Sequence, residues 1–271
     1  MSRSPWMKNL RYLALGILIF APLAYFAPYV VATYAIFGLY DVTRNTALDG
    51  FVVRRYFMGN GVLTWLLSPL NTLFDLLALP YFNKGVYELN DLPPGHRQEV
   101  ERLIAISKQE NLAKRLEERA KEFPRAMIFF KWYGQNVDTF LDVPAFHEKW
   151  RYVQTIGISV FNKKVSTSKH FGPLRATFRV LYNINDIDDL STYIVVGDVT
   201  SYWADNKLFI FDDTLMHQSV NNTDQTRYCL FVDIVRPSLF SFPYIVVVRT
   251  VRFFARSMNY LFYRNWKVIG R

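Results

Sequence analysis

Cysteine is almost absent: Cys229 is the single thiol among 271 residues, and there are four histidines. One thiol excludes an internal disulfide, and its place in the apolar run Tyr228-Cys229-Leu230-Phe231-Val232 points to packing rather than reactivity. No His-Glu-x-x-His or Cys-x-x-Cys pair is present, so a compact local metal motif is excluded. No helix-turn-helix, zinc-finger or RNP string accompanies the formal charge of +9, which argues against nucleic acid as its partner. Repeats and low-complexity tracts are missing, and between Arg11 and Asp41 there is no charged residue at all.

What is present is apolar, aromatic and basic. The chain is 51% hydrophobic and 17% aromatic yet carries +9, a combination suited to an anionic membrane surface. The uncharged stretch Tyr12–Tyr40 exceeds the roughly 20 residues needed to cross a bilayer, follows Arg3, Lys8 and Arg11, and is too long for a signal-peptide core. It is expected to be a retained anchor, with Pro22 and Pro28 leaving open a kinked span or a re-entrant hairpin. A second apolar stretch runs from Gly61 to about Phe82, interrupted by Pro69, Asn71 and Asp75. A carboxylate such as Asp75 at the bilayer centre would cost about 2.5 to 3.5 kcal/mol, so an interfacial or hairpin placement competes with a second span. The expected division is a membrane anchor region over 1–90, a catalytic domain with preceding helices over 91–238, and a basic aromatic tail over 239–271.

Leu92-Pro93-Pro94-Gly95 reads as a linker, and His96 just after it as a capping or surface residue. Val100, Leu103, Ile104, Leu112 and Leu116 recur at helical spacing, predicting a helix from Gln98 to about Glu122 with a charged outer face. Phe129-Phe130-Lys131-Trp132-Tyr133-Gly134 is an aromatic cluster that is either plain core or part of the functional apparatus. His147 belongs to a helix expected to pack on a sheet. Leu208-Phe209-Ile210-Phe211, Tyr228–Val232 and Tyr193–Val199 are short runs rich in β-branched and aromatic residues, bounded by Asp205-Asn206 and by Asn221-Asn222-Thr223-Asp224, as buried strands should be. In the tail, Arg249, Arg252 and Arg256 fall at i, i+3 and i+7, the pattern of a basic amphipathic helix lying at a phospholipid interface.

The chemistry concentrates in His170, His217 and Arg227. Two imidazoles from different strands, 47 positions apart (217 − 170), can hold iron, copper or zinc, and an arginine ten positions beyond the second can hold an anionic co-substrate. A non-heme Fe(II) site with two histidines ordinarily adds a carboxylate, and in a His-x-Asp/Glu arrangement that acid would stand at 172, where this chain has Gly172. Water, Asp212, Asp213 or another carboxylate is left to fill the corner.

From Ser159 to Pro237 the chain resembles the aspartyl/asparaginyl β-hydroxylase family. The matching residues are His170-x-Gly172-Pro173, Arg179, Trp203-Ala204-Asp205-Asn206-Lys207-Leu208-Phe209-Ile210-Phe211-Asp212-Asp213, His217, Asn221-Asn222, Arg227 and Val232-Asp233-Ile234-Val235-Arg236-Pro237. The resemblance implies a mainly β protein with helices: a double-stranded β-helix (jelly roll) catalytic domain plus N-terminal membrane-associated helices. It implies an Fe(II)- and 2-oxoglutarate-dependent dioxygenase in which His170 and His217 bind the metal, Arg227 grips the distal carboxylate of 2-oxoglutarate, and Ser159 and Arg179 add co-substrate contacts, O2 being the second co-substrate. Where the family usually has a histidine two positions after the arginine, this chain has Leu181, and Tyr182 or Asn183 is left to make that contact. The N-terminal anchor, Leu66-Leu67-Ser68-Pro69-Leu70-Asn71, the Lys131-Trp132-Tyr133 stretch and the Val-Asp-x-x-Arg-Pro ending look most like the branch that 2-hydroxylates lipid A acyl chains. The implied substrate is a fatty-acyl chain of a membrane lipid, lipid A first and ornithine lipid or sphingolipid next, with the protein on a membrane (the inner membrane if bacterial) and its catalytic domain facing the cytoplasm. A peptidyl aspartyl/asparaginyl β-hydroxylase and a catalytically inactive membrane scaffold are the alternatives.

Overall fold

The computed structural model describes residues 21–270 apart from 23, 82, 121 and 256–265. Its centre is two antiparallel sheets facing each other. The larger contains β1 (Val86–Tyr87), β9 (Leu208–Phe211), β6 (Thr177–Asn183), β11 (Arg227–Val235), β4 (Val153–Phe161) and β2 (Arg125–Trp132) in that order. β12 (Lys267–Val268) joins β2 in parallel, and β3 (Gln135–Asn136) also pairs with β2. The smaller sheet runs β5 (Val165–Ser166), β10 (His217–Asn221), β7 (Thr192–Val196), β8 (Val199–Tyr202). From β4 to β11 the chain passes back and forth between the sheets, with only the hairpin β7–β8 placing two successive strands in the same one, and the order β4-β11-β6-β9 faces β5-β10-β7-β8, which is the double-stranded β-helix pattern.

Side-chain alternation divides the large sheet into two faces. Ile156, Ile158 and Val160 of β4, Phe178 and Val180 of β6, and Leu230, Val232 and Ile234 of β11 point away from the second sheet, into a core closed by two helices, α5 (Pro94–Gln109) and α6 (Leu112–Ala120). The intervening positions point between the sheets, where Met127, Phe129, Leu181, Cys229 and Phe231 meet Ile194 and Val196 of β7. The aromatic stretch before Tyr133 is therefore core strand, and Cys229 is fully buried.

The single expected helix over 98–122 is two. Asn111 takes a left-handed conformation (φ 47°), which ends one helix and reorients the next, a role open to asparagine at little cost. The expected linker is also shorter, because Pro94 is already in the first turn of α5, where proline costs no hydrogen bond. His96 corrects its expectation: it is buried rather than superficial, stacks on Tyr152 at 3.7 Å and bonds the Val235 carbonyl through Nε2 at 3.0 Å. His147 closes a short 3-10 helix, Pro144–His147.

The N-terminal region departs furthest from expectation. α1 (Pro28–Thr43) is 16 residues long, about 24 Å at 1.5 Å per residue against a hydrocarbon core of about 30 Å. Among the described residues no helix is long and apolar enough to cross a membrane, and the expected span's first residues, Tyr12–Phe20, lie outside them. The second apolar stretch is not a span but two short helices, α3 (Val62–Leu66) and α4 (Ser68–Leu77), with Pro69 in the first turn of the latter. Together with α2 (Gly50–Met58), whose N-terminus is capped by Asp49 Oδ1 accepting from Val52 N at 2.8 Å, they dock on the strands. α7 (Phe242–Ala255), within the tail expected at a membrane interface, packs on α4 through Phe74 and Tyr244, whose rings stack at 4.7 Å, and Arg252 donates to the Tyr133 carbonyl. Arg256 lies outside the described residues.

Docking is ionic as well as apolar. Arg175, with no exposed surface, pairs with Asp41 of α1, with Asp75 of α4 at 2.5 Å and with Asp212 at 3.2 Å. Arg44 reaches Asp212 at 2.8 Å, and Arg236 reaches Asp75 at 2.7 Å. Tyr56 of α2 donates to Asp41 at 2.6 Å. Burial alone would lower the pKa of Arg175, but Asp212, Asp41 and Asp75 raise it instead; burial alone would raise that of Asp212, but Arg44 and Arg175 hold it well below the usual carboxylate range. Asp75 is thus matched by two guanidiniums rather than exposed to lipid.

Two expectations follow. Arg175→Met removes the cation shared by three carboxylates and is expected to cost roughly 3–5 kcal/mol in urea unfolding; a loss under 1 kcal/mol would mean the cluster is dispensable. Burial lowers the His96 pKa to about 4, below its ordinary 6.5, so the unfolded chain binds the proton more readily between those values and stability is lost as pH falls through that window. In the metal-free protein, His96→Phe is expected to flatten the pH dependence there by one proton, about 1.4 kcal/mol per pH unit, measured by unfolding at a series of pH values.

Candidate active site

The alternation that builds the core also delivers the site. Ser159 and Phe161 on β4, Arg179 and Leu181 on β6, Arg227, Cys229 and Asp233 on β11, and His217 and Ser219 on β10 are odd-numbered positions that face the space between the sheets. His170 reaches the same space through an isolated antiparallel bridge with His217, its N–H donating to the His217 carbonyl at 3.0 Å and its carbonyl accepting from the His217 N–H at 2.9 Å. Their neighbours Phe171 and Met216 point the other way, into a cluster with Val42 of α1 and with Val52 and Tyr56 of α2. The helices therefore hold both histidine strands from behind.

The two imidazole rings lie 4.1 Å apart, centroid to centroid. His170 Nδ1 bonds the Ser168 carbonyl at 2.7 Å and His217 Nδ1 bonds the Leu215 carbonyl at 2.9 Å. A carbonyl only accepts, so each Nδ1 carries the hydrogen and each Nε2 presents a lone pair, the tautomer of a metal ligand. Burial, joined for His170 by His217, lowers the pKa to about 3 for His170 and about 4 for His217, keeping both rings neutral at pH 7.

Position 172 has a physical explanation. A Cβ built on Gly172 would collide with Asp213 Oδ2, so the room that a side chain at 172 would use is taken by the Asp213 carboxylate. Asp213 Oδ1 is buried without a hydrogen-bond donor and stands 3.2 Å from His217 Nε2. Two acceptor atoms so close call for a cation or a proton between or beside them. Among the described residues no group of three or more His, Cys, Asp or Glu side chains is disposed to hold a metal. The donors are two neutral imidazoles with a carboxylate beside one of them, a set that fits iron and leaves positions for other ligands.

The two expected anion contacts differ in their surroundings. Arg179 is engaged by Asp233 at 2.6 Å and by Asp213 at 3.2 Å, with its guanidinium 3.9 Å from the Phe231 ring centroid. Burial, against the nearby Arg179, raises the pKa of Asp233. Arg227 is fully buried, donates to Ser219 Oγ at 2.8 Å, lies over the Phe161 ring at 4.2 Å, and has no carboxylate within 4 Å among the described residues. Its Nε has no acceptor, and burial lowers its pKa. Ser159 donates to the Cys229 carbonyl at 3.4 Å on the same inner face. Leu181, at the position of the family's usual histidine, is nearly buried and apolar there. Sequence reading assigned Trp203 no role, yet its ring is 5.1 Å from the Arg227 guanidinium and its buried Nε1 lacks a partner. An indole beside a turn gave no signal of that.

Residues 96–237 match the aspartyl/asparaginyl beta-hydroxylase family. The chain belongs to that family. It is also 26% identical over 238 residues, 80% of its length and 79% of the relative's, to the ornithine lipid ester-linked acyl 2-hydroxylase of Rhizobium tropici, in keeping with the lipid-acyl branch. Solved structures overlap only in part. The salicylate 1,2-dioxygenase of Pseudaminobacter salicylatoxidans gives a TM-score of 0.28 at 11% identity, covering 51% of this chain and 34% of that one. The TT1209 protein of Thermus thermophilus gives 0.26 at 14%, covering 32% and 77%.

The crowding at 172 can be measured. Gly172→Ala is expected to cost roughly 1–3 kcal/mol by forcing Asp213 aside, and adding Asp213→Ala should restore part of that loss; strictly additive effects in urea unfolding would mean the two positions do not compete.

Proposed function

We propose that the protein is an Fe(II)- and 2-oxoglutarate-dependent dioxygenase that hydroxylates a fatty-acyl chain of a membrane lipid, working at the membrane with its catalytic domain on the cytoplasmic side. The observation that carries this reading is the presence, on the inner faces of the two sheets, of two neutral imidazoles and Arg227, a buried guanidinium that no carboxylate of the described residues matches. A buried unpaired cation is costly, and a co-substrate carboxylate would relieve that cost. Bound iron with 2-oxoglutarate and O2 would supply the oxidising power for inserting oxygen into an unactivated C–H bond, chemistry no side chain can perform.

The residues have separable tasks. His170 and His217 would hold the iron through Nε2, their Nδ1 hydrogens fixed on backbone carbonyls. Arg227 would take the distal carboxylate of 2-oxoglutarate, with Ser219 fixing its fork, Trp203 beside it and Ser159 on the same inner face. Arg179 would keep Asp213 turned toward His217 and lend charge to the co-substrate. The apolar walls, Leu181, Phe209 and Phe231, would exclude water and accept an acyl chain. The Rhizobium relative's substrate makes ornithine lipid a candidate beside lipid A and sphingolipid.

Purified protein should convert 2-oxoglutarate to succinate with iron and a lipid extract, and His170→Ala should abolish this. Arg227→Met should raise the concentration of 2-oxoglutarate needed by at least about tenfold, as loss of a charge-assisted pair predicts. Lipids from cells carrying the gene should gain one oxygen, about 16 daltons by elemental mass. A gain on protein instead would establish the peptidyl reading, and absence of both iron binding and succinate would leave an inactive scaffold.

A further inference from the structure

The helices behind the histidines carry apolar side chains on their outer surface. Ile36 and Leu39 of α1, Leu63 and Leu66 of α3, and Leu73 and Leu76 of α4 are all exposed, Ile36 by 65% and Leu76 by 62%. Each pair is spaced i, i+3, so each helix shows solvent a coherent apolar strip. The strips adjoin, because Trp65 of α3 donates to the Tyr34 carbonyl of α1 at 2.9 Å and α1 packs on α4. Contiguous apolar surface of this kind marks an interaction site.

A basic rim borders it. Phe51 of α2 is half exposed, with the Arg55 guanidinium and the Lys169 ammonium each 5.8 Å from its ring centroid, and Arg54 is exposed beside it. Among the described residues neither Arg54 nor Lys169 has a carboxylate within 4 Å, and the nearby Asp49 is occupied in capping α2. Arg55 donates to the Lys169 carbonyl at 2.6 Å, and Lys169 directly precedes His170. Rim and metal-ligand segment are therefore one frame.

We propose that this face docks on an anionic phospholipid bilayer, with the strips of α1, α3 and α4 among the acyl chains and Phe51, Arg54 and Lys169 at headgroup level. Apolar strips ending in unpaired cations and an exposed aromatic are complementary to a leaflet whose acyl region ends in anionic phosphates. Docking this way sets His170 near the depth where a headgroup meets its chains, and it rests on the lipid-acyl reading only for that purpose.

The test uses the full chain, in which Cys229 is buried and unreactive. An environment-sensitive dye is attached to Leu73→Cys, to Phe51→Cys and, as control, to Asp188→Cys in the exposed loop at the other end of β7. Vesicles of phosphatidylglycerol with phosphatidylcholine should shift emission to the blue at the first two positions and not at the third, and vesicles of phosphatidylcholine alone should do so only weakly. Arg54→Glu with Lys169→Glu should weaken binding to the anionic vesicles by roughly tenfold or more. Equal shifts at all three positions, no shift at Leu73→Cys, unchanged affinity in the double variant, or a concentration-dependent shift without vesicles would each overturn the proposal, the last by assigning the face to a second copy of the chain. The dye reports docking without iron or 2-oxoglutarate, so its failure is separate from any failure of succinate formation.

Discussion

The ion pair between Arg175 and Asp212 ties the site together. Arg175 lies five positions after His170 and Asp212 five before His217, so one contact of 3.2 Å clasps the two segments that carry the imidazoles. Asp41, Arg44, Asp75 and Arg236 extend it into a cluster of three acids and three guanidiniums that also fastens α1 and α4 to the sheets. Removing six charges from water is expensive, and such clusters add little net stability; they do make every alternative arrangement, with one charge left over, far worse. The cluster acts as a register device, fixing where the helical layer and the strand ends meet.

Adjacent carboxylates take opposite parts. Asp212 turns outward to the arginines, while Asp213 turns inward to His217 and fills the space that Gly172 leaves free. The two inner arginines are similarly divided. Arg179 is compensated by Asp233 and Asp213, whereas Arg227 is held by Ser219 and two aromatic faces, which shape the guanidinium without neutralising it. The keto acid of the proposed function would need a cation of the second kind.

The strands and the inward-facing residues were readable because period-2 patterning and turn residues are local: Leu208–Phe211 and Tyr228–Val232 carry their own evidence of burial. Gly172 was readable as a gap, but its filling by Asp213 depends on a contact 41 positions away (213 − 172). At α3 and α4 hydropathy could not choose between a second span and shorter helices, since an apolar helix face reads alike whether lipid or protein covers it. Asp75 looked like a penalty because its partners, Arg175 and Arg236, stand 100 or more positions along the chain. His96 was similarly opaque: nothing adjacent announces the stacking Tyr152 or the Val235 carbonyl.

The reciprocal amide–carbonyl bonds between His170 and His217 set the spacing of the two rings through the main chain itself. Coordination need not gather these ligands from afar, so the entropy of assembling the cradle is settled when the polypeptide folds. On the proposed function, newly made protein would wait, already shaped, for scarce ferrous ion. Its working fraction would then track cellular iron while its lifetime would not.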